Sequence, residues 1–168
     1  MALTLVRHTT PEVAKGTCYG RTDLALAESF ETEQKDVVRR LPEATRIVSS
    51  PLWRCRQLAA RAAAHVSGEL TILPHWIEMD FGAWERTPWA DIPRDGLDAW
   101  AADFLHYDGH GGESVAMLEA RIRHALDATP DKSIVVTHSG CIRAACAIHG
   151  VYDGWDTDIP FGGAITLS

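Results

Sequence analysis

No stretch of this sequence approaches the ~20 consecutive apolar residues that span a bilayer, which argues against a transmembrane helix. Nothing ahead of the first strand-like run supplies the basic n-region and apolar h-region of an export signal, so the chain is read as soluble and cytoplasmic, with no membrane partner. The four cysteines, Cys18, Cys55, Cys141 and Cys146, form no CxxC spacing. Neither a disulfide nor a zinc site is implied, and reduced thiols packed in the interior are expected. No GxGxxG or GxxxxGK(S/T) loop follows the first strand, which excludes the common nucleotide-binding turns. His106 and His110 have an H-x3-H spacing, but Gly109 interrupts any helix that would align them and no third ligand accompanies them. Neither a metal nor another cofactor is expected, and no nucleic-acid partner. Internal repeats, low-complexity tracts and interdomain linkers are also missing. Residues 1–168 are therefore read as one domain, long enough to bury roughly 70% of its unfolded surface around a single core.

The acidic balance is local. The net charge is −7, yet residues 75–113 alone hold nine acidic and two basic side chains, and the remainder carries fourteen of each sign. That stretch also holds seven of the thirteen aromatic residues, among them Trp76, Trp84, Trp89 and Trp100, together with Pro88, Pro93 and several glycines. It is read as an acidic, aromatic, lid-like insert.

What the rest contains is an alternation of strand and helix patterns. Strands are expected at 2–6, 46–49, 70–73, 133–137 and 164–167, and helices at about 28–41, 51–66, 112–128 and 140–149. Strands separated by helices of ten or more residues imply an α/β fold, a mostly parallel sheet with helices on both faces. Ligands of such sheets bind beyond the carboxyl ends of the strands. Arg7 and His8, in LTLVRHTT, lie at one such end, His138 follows another in IVVTHSG, and Arg54 follows a third on the helix opened by Pro51. Each residue alone is explained as the polar edge of a sheet; their shared position at one rim points to an anion site.

The sequence resembles the histidine phosphatase (phosphoglycerate mutase-like) superfamily nearly end to end. LVRHTT is similar to the family's RHG signature, SSPLWRCRQLAA to SSPLxRAxQTA, IEMDFGAWE to LxExxxGxWEG, HGGES to PGGES, and VVTHSGCIRA completes the set in family order. The segment KGTCYGRTDLAL is similar to the α-ribazole phosphatases of the cobalamin pathway, where a CYGxxD pattern recurs. The resemblance implies a phosphomonoester substrate and a phosphohistidine intermediate, with His8 as nucleophile and Arg7, Arg54 and His138 around the phosphate. Histidine suits the task because it is largely neutral near pH 7 and can be held in one tautomer. Planar guanidinium forks match phosphate oxygens in a way lysine cannot. The resemblance also implies Glu78 as general acid, with Asp80 two residues on as the competitor. Substrate contacts are expected from Thr9, Tyr19, Gly20, Arg21 and Ser139, helped by the Ser139 and Gly140 amides at a helix start. Glu113 is expected in the first turn of that GGES helix.

The sequence departs from the family pattern in places. Thr9 stands where the family has glycine, Thr10-Pro11 replaces Glu-Thr, the usual asparagine after the motif is missing, and Trp84-Glu85-Arg86 replaces Trp-Glu-Gly. A lid presenting aromatic faces and excess negative charge would repel a small polyanion such as phosphoglycerate and stack an aromatic monophosphate on Trp84 or Trp89. α-Ribazole phosphate has that shape. In the alternative reading the tryptophans form the insert's own small core. A broad-specificity phosphatase, a mutase and an inactive binding protein are the other functional readings. The sequence does not choose between monomer and homodimer.

Overall fold

The run Ile134-Val135-Val136-Thr137 is buried along its whole length, as a central strand must be when helices cover both sides of a sheet. The computed structural model describes residues 2–168. In chain order the elements are β1 (Leu3–Arg7), α1 (Phe30–Val38), β2 (Arg46–Ser49), α2 (Trp53–Val66), β3 (Glu69–Ile72), α3 (Arg94–Ala102), α4 (Val115–Ala128), β4 (Ile134–Thr137), α5 (Ser139–His149) and β5 (Ala164–Leu167). Short 3-10 turns at Pro74–Trp76, Gly82–Trp84, Trp89–Asp91 and Gly154–Asp156 punctuate the connections. The five strands lie in the order β3-β2-β4-β1-β5. β3, β2, β4 and β1 are parallel, and β5 closes the edge antiparallel to β1. This is the α/β architecture the sequence implies, a mostly parallel sheet with helices on both faces, in a single domain.

Successive strand residues alternate between two cores, as a pleat of period two requires. Leu3, Leu5, Val48 and Val135 pack with α4 and α5 residues such as Leu118, Ile122 and Ile142. Val6, Ile47, Ile134 and Val136 pack with Phe30, Val37, Leu58 and Ala62 of α1 and α2. All four cysteines are free and buried within these clusters or beside them. Among the described residues no helix is long and apolar enough to cross a membrane.

Register places the ends of the strands. Arg7 of β1 pairs with Thr137 of β4, so the next residues, His8 and His138, leave neighbouring strands at one level. The His8 amide donates to the Thr137 carbonyl at 3.0 Å. The chain leaving β1 runs toward the face covered by α1, whereas the chain leaving β4 enters α5 on the other face. That divergence opens the crevice in which doubly wound sheets bind ligands.

Two expectations change. Residues 75–113 contain a helix, α3, that periodicity did not reveal, because it begins at Pro93, contains Gly96 and buries no residue of its own. Glu113 lies outside α4. The cap is Ser114, whose Oγ accepts the Met117 N–H at 3.2 Å, and Glu113 instead forms an ion pair with Arg121.

Candidate active site

At the carboxyl edge of the sheet the His8 imidazole is 2% exposed, with its Nδ1 2.7 Å from its neighbour Thr9's carbonyl oxygen. A carbonyl can only accept, so Nδ1 carries the proton and Nε2 presents its lone pair. The His138 ring meets His8 edge-on with centroids 5.2 Å apart. His138 is itself fixed by Ser50. The Ser50 Oγ accepts the Leu52 N–H at 3.3 Å and lies 2.7 Å from His138 Nε2. Thr9 takes no positive φ, so threonine occupies the family's glycine position without backbone strain. Its hydroxyl is buried, has no partner and does not line the cleft, so its contact with the site is through its carbonyl.

Two arginines flank the site, and only one of them contacts His8. Arg54, on the first turn of α2, is fully buried and donates from Nε to His8 Nε2 at 3.3 Å. Its Nη1 and Nη2 donate to the carbonyls of Thr22 at 2.7 Å and Gly20 at 2.6 Å. Tyr19 lies 5.3 Å from its guanidinium. Arg7 lies over the Phe161 ring at 3.9 Å and donates to the Ile159 carbonyl at 2.7 Å. Gly20 packs where a Cβ would run into the Met79 carbonyl and the Phe81 ring, which pins this turn against the insert. Arg21 faces away from the histidines. Its guanidinium is 3.6 Å from Glu113 and 4.0 Å from Asp80, and its Nε donates to the Glu78 carbonyl.

Glu78 is 8% exposed and lines the same cleft as Arg7 and His8. Its carboxylate accepts the Met79 N–H at 2.8 Å and the Gly140 N–H at 3.0 Å. A Cβ at residue 140 would collide with that carboxylate, so glycine is what lets helix α5 approach it. The Gly140 amide is thus occupied by Glu78 and not free for phosphate, as the sequence had suggested, whereas Ser139 lines the cleft. Asp80 does not line it. Its Oδ1 accepts the Gly82 N–H at 2.8 Å. The backbone beneath Glu78 is held by Arg121, which donates to the carbonyls of His75 and Ile77 at 2.6 Å while Glu113 grips it at 2.8 and 2.9 Å.

The cleft beyond these groups has a volume of about 680 Å³. Its outer walls are aromatic: Tyr19, Phe81, Trp89, Trp100, Phe104 and Trp155. Phe104 meets Trp155 across it, edge to face, at 5.7 Å. Trp84 is not in the wall. It is 6% exposed and forms the insert's own small core with Cys18 and Ile92, whereas Trp89 and Trp100 line the cleft. The negative charge is also placed differently from expectation. Asp91, Asp95, Asp98, Asp103 and Asp108 are exposed and outside the cleft, whose only acids are Glu78 and Asp156. Arg7 and Arg143 share that lining, so two cations match its two acids.

Burial, and after it the Arg54 guanidinium, holds both His8 and His138 well below the ordinary histidine value of 6.5. The folded protein therefore keeps both rings neutral, while the unfolded chain protonates them as pH falls through 6.5. The unfolded state then binds more protons, so stability declines from that pH downward, by up to about 1.4 kcal/mol per pH unit for each ring, until the folded values are reached. Burial holds His110 below its ordinary value as well. Urea unfolding between pH 7 and pH 5 measures the combined slope, and His138→Asn is expected to reduce it by about a third; an unchanged slope would contradict the assignment.

Three residues of the site are not singled out from the sequence. Arg121 lies in no motif and acts on backbone atoms distant in the chain; Glu85 ends the motif IEMDFGAWE but acts on a turn 64 residues away; and Arg143, within VVTHSGCIRA, joins the cleft because it lies one helical turn beyond Ser139 on α5.

The sequence profile of the histidine phosphatase superfamily (branch 1) matches residues 3–156. No curated protein matches the chain. Among solved structures, TTHB049 from Thermus thermophilus is similar with a TM-score of 0.82 and 28% identity, over 100% of this chain and 94% of that one. A phosphoglycerate mutase from the same organism gives 0.82 and 28% identity over 99% and 92%. A mycobacterial glucosyl-3-phosphoglycerate phosphatase shares the fold, with a TM-score of 0.82 and 23% identity over 99% and 89%.

Proposed function

Because the chain belongs to the histidine phosphatase superfamily, branch 1, we propose that it hydrolyses phosphomonoesters by passing the phosphoryl group through His8 to water. One observation carries this reading: the Thr9 carbonyl holds the His8 proton on Nδ1, so an unprotonated Nε2 stands in a cleft also lined by Arg7 and Glu78. The Nε2 lone pair attacks phosphorus, the ester P–O bond breaks, and Glu78 gives the leaving oxygen its proton. Water then attacks the phosphohistidine, Glu78 takes back a proton, and the N–P bond breaks to release phosphate and neutral His8. The Arg54 Nε–H that now points at Nε2 becomes a donor to a phosphoryl oxygen once that nitrogen is bonded to phosphorus. Arg7 adds positive charge, and the neutral His138 ring a hydrogen-bond donor, to the same group.

For the alcohol we propose a bulky aromatic group, with α-ribazole phosphate of cobalamin nucleotide-loop assembly as the specific substrate. The aromatic wall from Tyr19 to Trp155 and the likeness of KGTCYGRTDLAL to α-ribazole phosphatases support it. A second reading, a phosphoglycerate phosphatase or mutase, is favoured by Arg143, a cation in the outer cleft suited to a carboxylate, and by the phosphoglycerate mutase among the similar structures.

Initial-rate assays on a panel of monophosphates separate the two. The expected result is a higher kcat/KM for α-ribazole phosphate than for phosphoglycerates. Phe104 is the cleanest wall residue to test, being 40% exposed at the outer end of the cleft. Phe104→Ala should lower kcat/KM for the aromatic substrate by about 3- to 10-fold, the value of one aromatic contact, and leave phosphoglycerate turnover unchanged. Equal or better turnover of phosphoglycerates would remove the cobalamin assignment and keep the chemistry at His8.

A further inference from the structure

A fully buried guanidinium normally sits beside a carboxylate, because an uncompensated charge in a dry site is costly. Arg54 has none within 4.0 Å among the described residues; its two terminal nitrogens are met by carbonyls. The missing counter-charge lies one peptide away. Glu85 Oε1 accepts the Arg21 N–H at 2.7 Å, and the carbonyl of that same peptide group, Gly20 O, accepts from Arg54 Nη2 at 2.6 Å. Glu85 Oε2 accepts the Gly20 N–H at 2.8 Å and the Thr22 hydroxyl at 2.9 Å, and the Thr22 carbonyl accepts from Arg54 Nη1 at 2.7 Å.

We propose that Glu85 is the positioning residue of the phosphate site, serving as the counter-ion of Arg54 through the Gly20-Arg21 peptide. A carboxylate on the N–H of a peptide polarises its carbonyl, strengthening the bond that carbonyl makes to a cation on the far side. Both bonds in this chain are short, as charge-assisted bonds are. The carboxylate also fixes the turn mechanically. It takes donors from three consecutive residues, and the turn's two carbonyls set the plane of the guanidinium and the direction of its Nε–H toward His8. The neighbouring backbone is braced on both sides, the Arg86 amide on the Cys18 carbonyl at 2.8 Å and the Cys18 amide on the Thr87 carbonyl at 2.8 Å. Arg86 takes φ +66° at the family's glycine position, which keeps Glu85 turned inward while the Arg86 side chain stays exposed.

The inference rests on the phosphohistidine reading, and a double-mutant cycle on the full-length protein separates the two. Glu85→Gln keeps the shape but sets an amide nitrogen against the backbone N–H donors of residues 20 and 21. It is expected to lower kcat about 10-fold and weaken binding of inorganic phosphate by a similar factor, while Glu85→Asp, which keeps the charge, loses less. On an Arg54→Ala background, itself about 100-fold or more impaired, Glu85→Gln is expected to cost less than about 2-fold, since its effect runs through the missing guanidinium. Equal cost on both backgrounds, or a loss confined to the melting temperature with kcat and phosphate affinity intact, would overturn the role of Glu85. Arg54→Ala with normal turnover and phosphate affinity would overturn the inference by removing Arg54 from the phosphate site, whereas the absence of any label on His8 during turnover would overturn the phosphohistidine reading on which it rests.

Discussion

His8→Ala is expected to lower kcat by about 10,000-fold or more on every phosphomonoester, activated aryl esters included, because removing a covalent nucleophile eliminates the pathway whatever the leaving group. The other groups of the site assist one bond-making atom, His8 Nε2, whose availability follows from the 2.7 Å bond between Nδ1 and the Thr9 carbonyl. The imidazole is 2% exposed, so its removal leaves a small cavity and relieves the burial of an ionisable ring; unfolding measured beside the assay separates folding from chemistry. Residual turnover within 100-fold of the unmodified protein would mean that another group, or water directly, attacks phosphorus.

Glu78→Gln carries the second large effect, and its size depends on the substrate. Esters of aliphatic alcohols need a proton on the departing oxygen and should slow by ~100- to 10,000-fold, whereas nitrophenyl esters, whose leaving groups are stable as anions, should be little changed in their phosphorylation step. The geometry supports this split. Glu78 is held by amides from two separate segments, Met79 and Gly140, which aim the carboxyl group into the cleft. Asp80 is turned to its own tight turn and toward Arg21. Equal slowing of the phosphorylation step for both ester classes, read from pre-steady-state bursts, would make Glu78 a structural anchor for α5 and return the acid to other candidates.

Much of the fold was legible because its strands are short apolar runs bounded by polar or turn residues, and β2 and β5 fall at the residues the pattern indicates. Helix α3 was not legible. It has a glycine inside it and no buried residue, so its apolar side chains trace no stripe against the core. At the site, the reacting groups could be named from motifs, but their adjacency is a property of register: Arg7 opposite Thr137 brings His8 and His138 together, and no local pattern encodes that pairing. Charge was where sequence reasoning misled. Nine acids in one stretch read as an acidic lid, yet a loop segment has two faces, and the structure turns five of those acids to solvent and keeps Glu85 and Glu113 for amides and arginines. Arg21 misled in the same way. Its backbone belongs to the turn that orients Arg54, whereas its side chain pairs with Glu113.

The central claim is that the phosphoryl group passes through His8, and trapping it there is the most direct test. Turnover of a labelled monophosphate, quenched in alkali and mapped by peptide mass spectrometry, is predicted to place the label on the peptide containing His8. The same sample quenched in acid should lose it, since an N–P bond is stable in base and labile in acid. Label on a serine or aspartate peptide, or label that survives acid and is lost in alkali, would contradict the account.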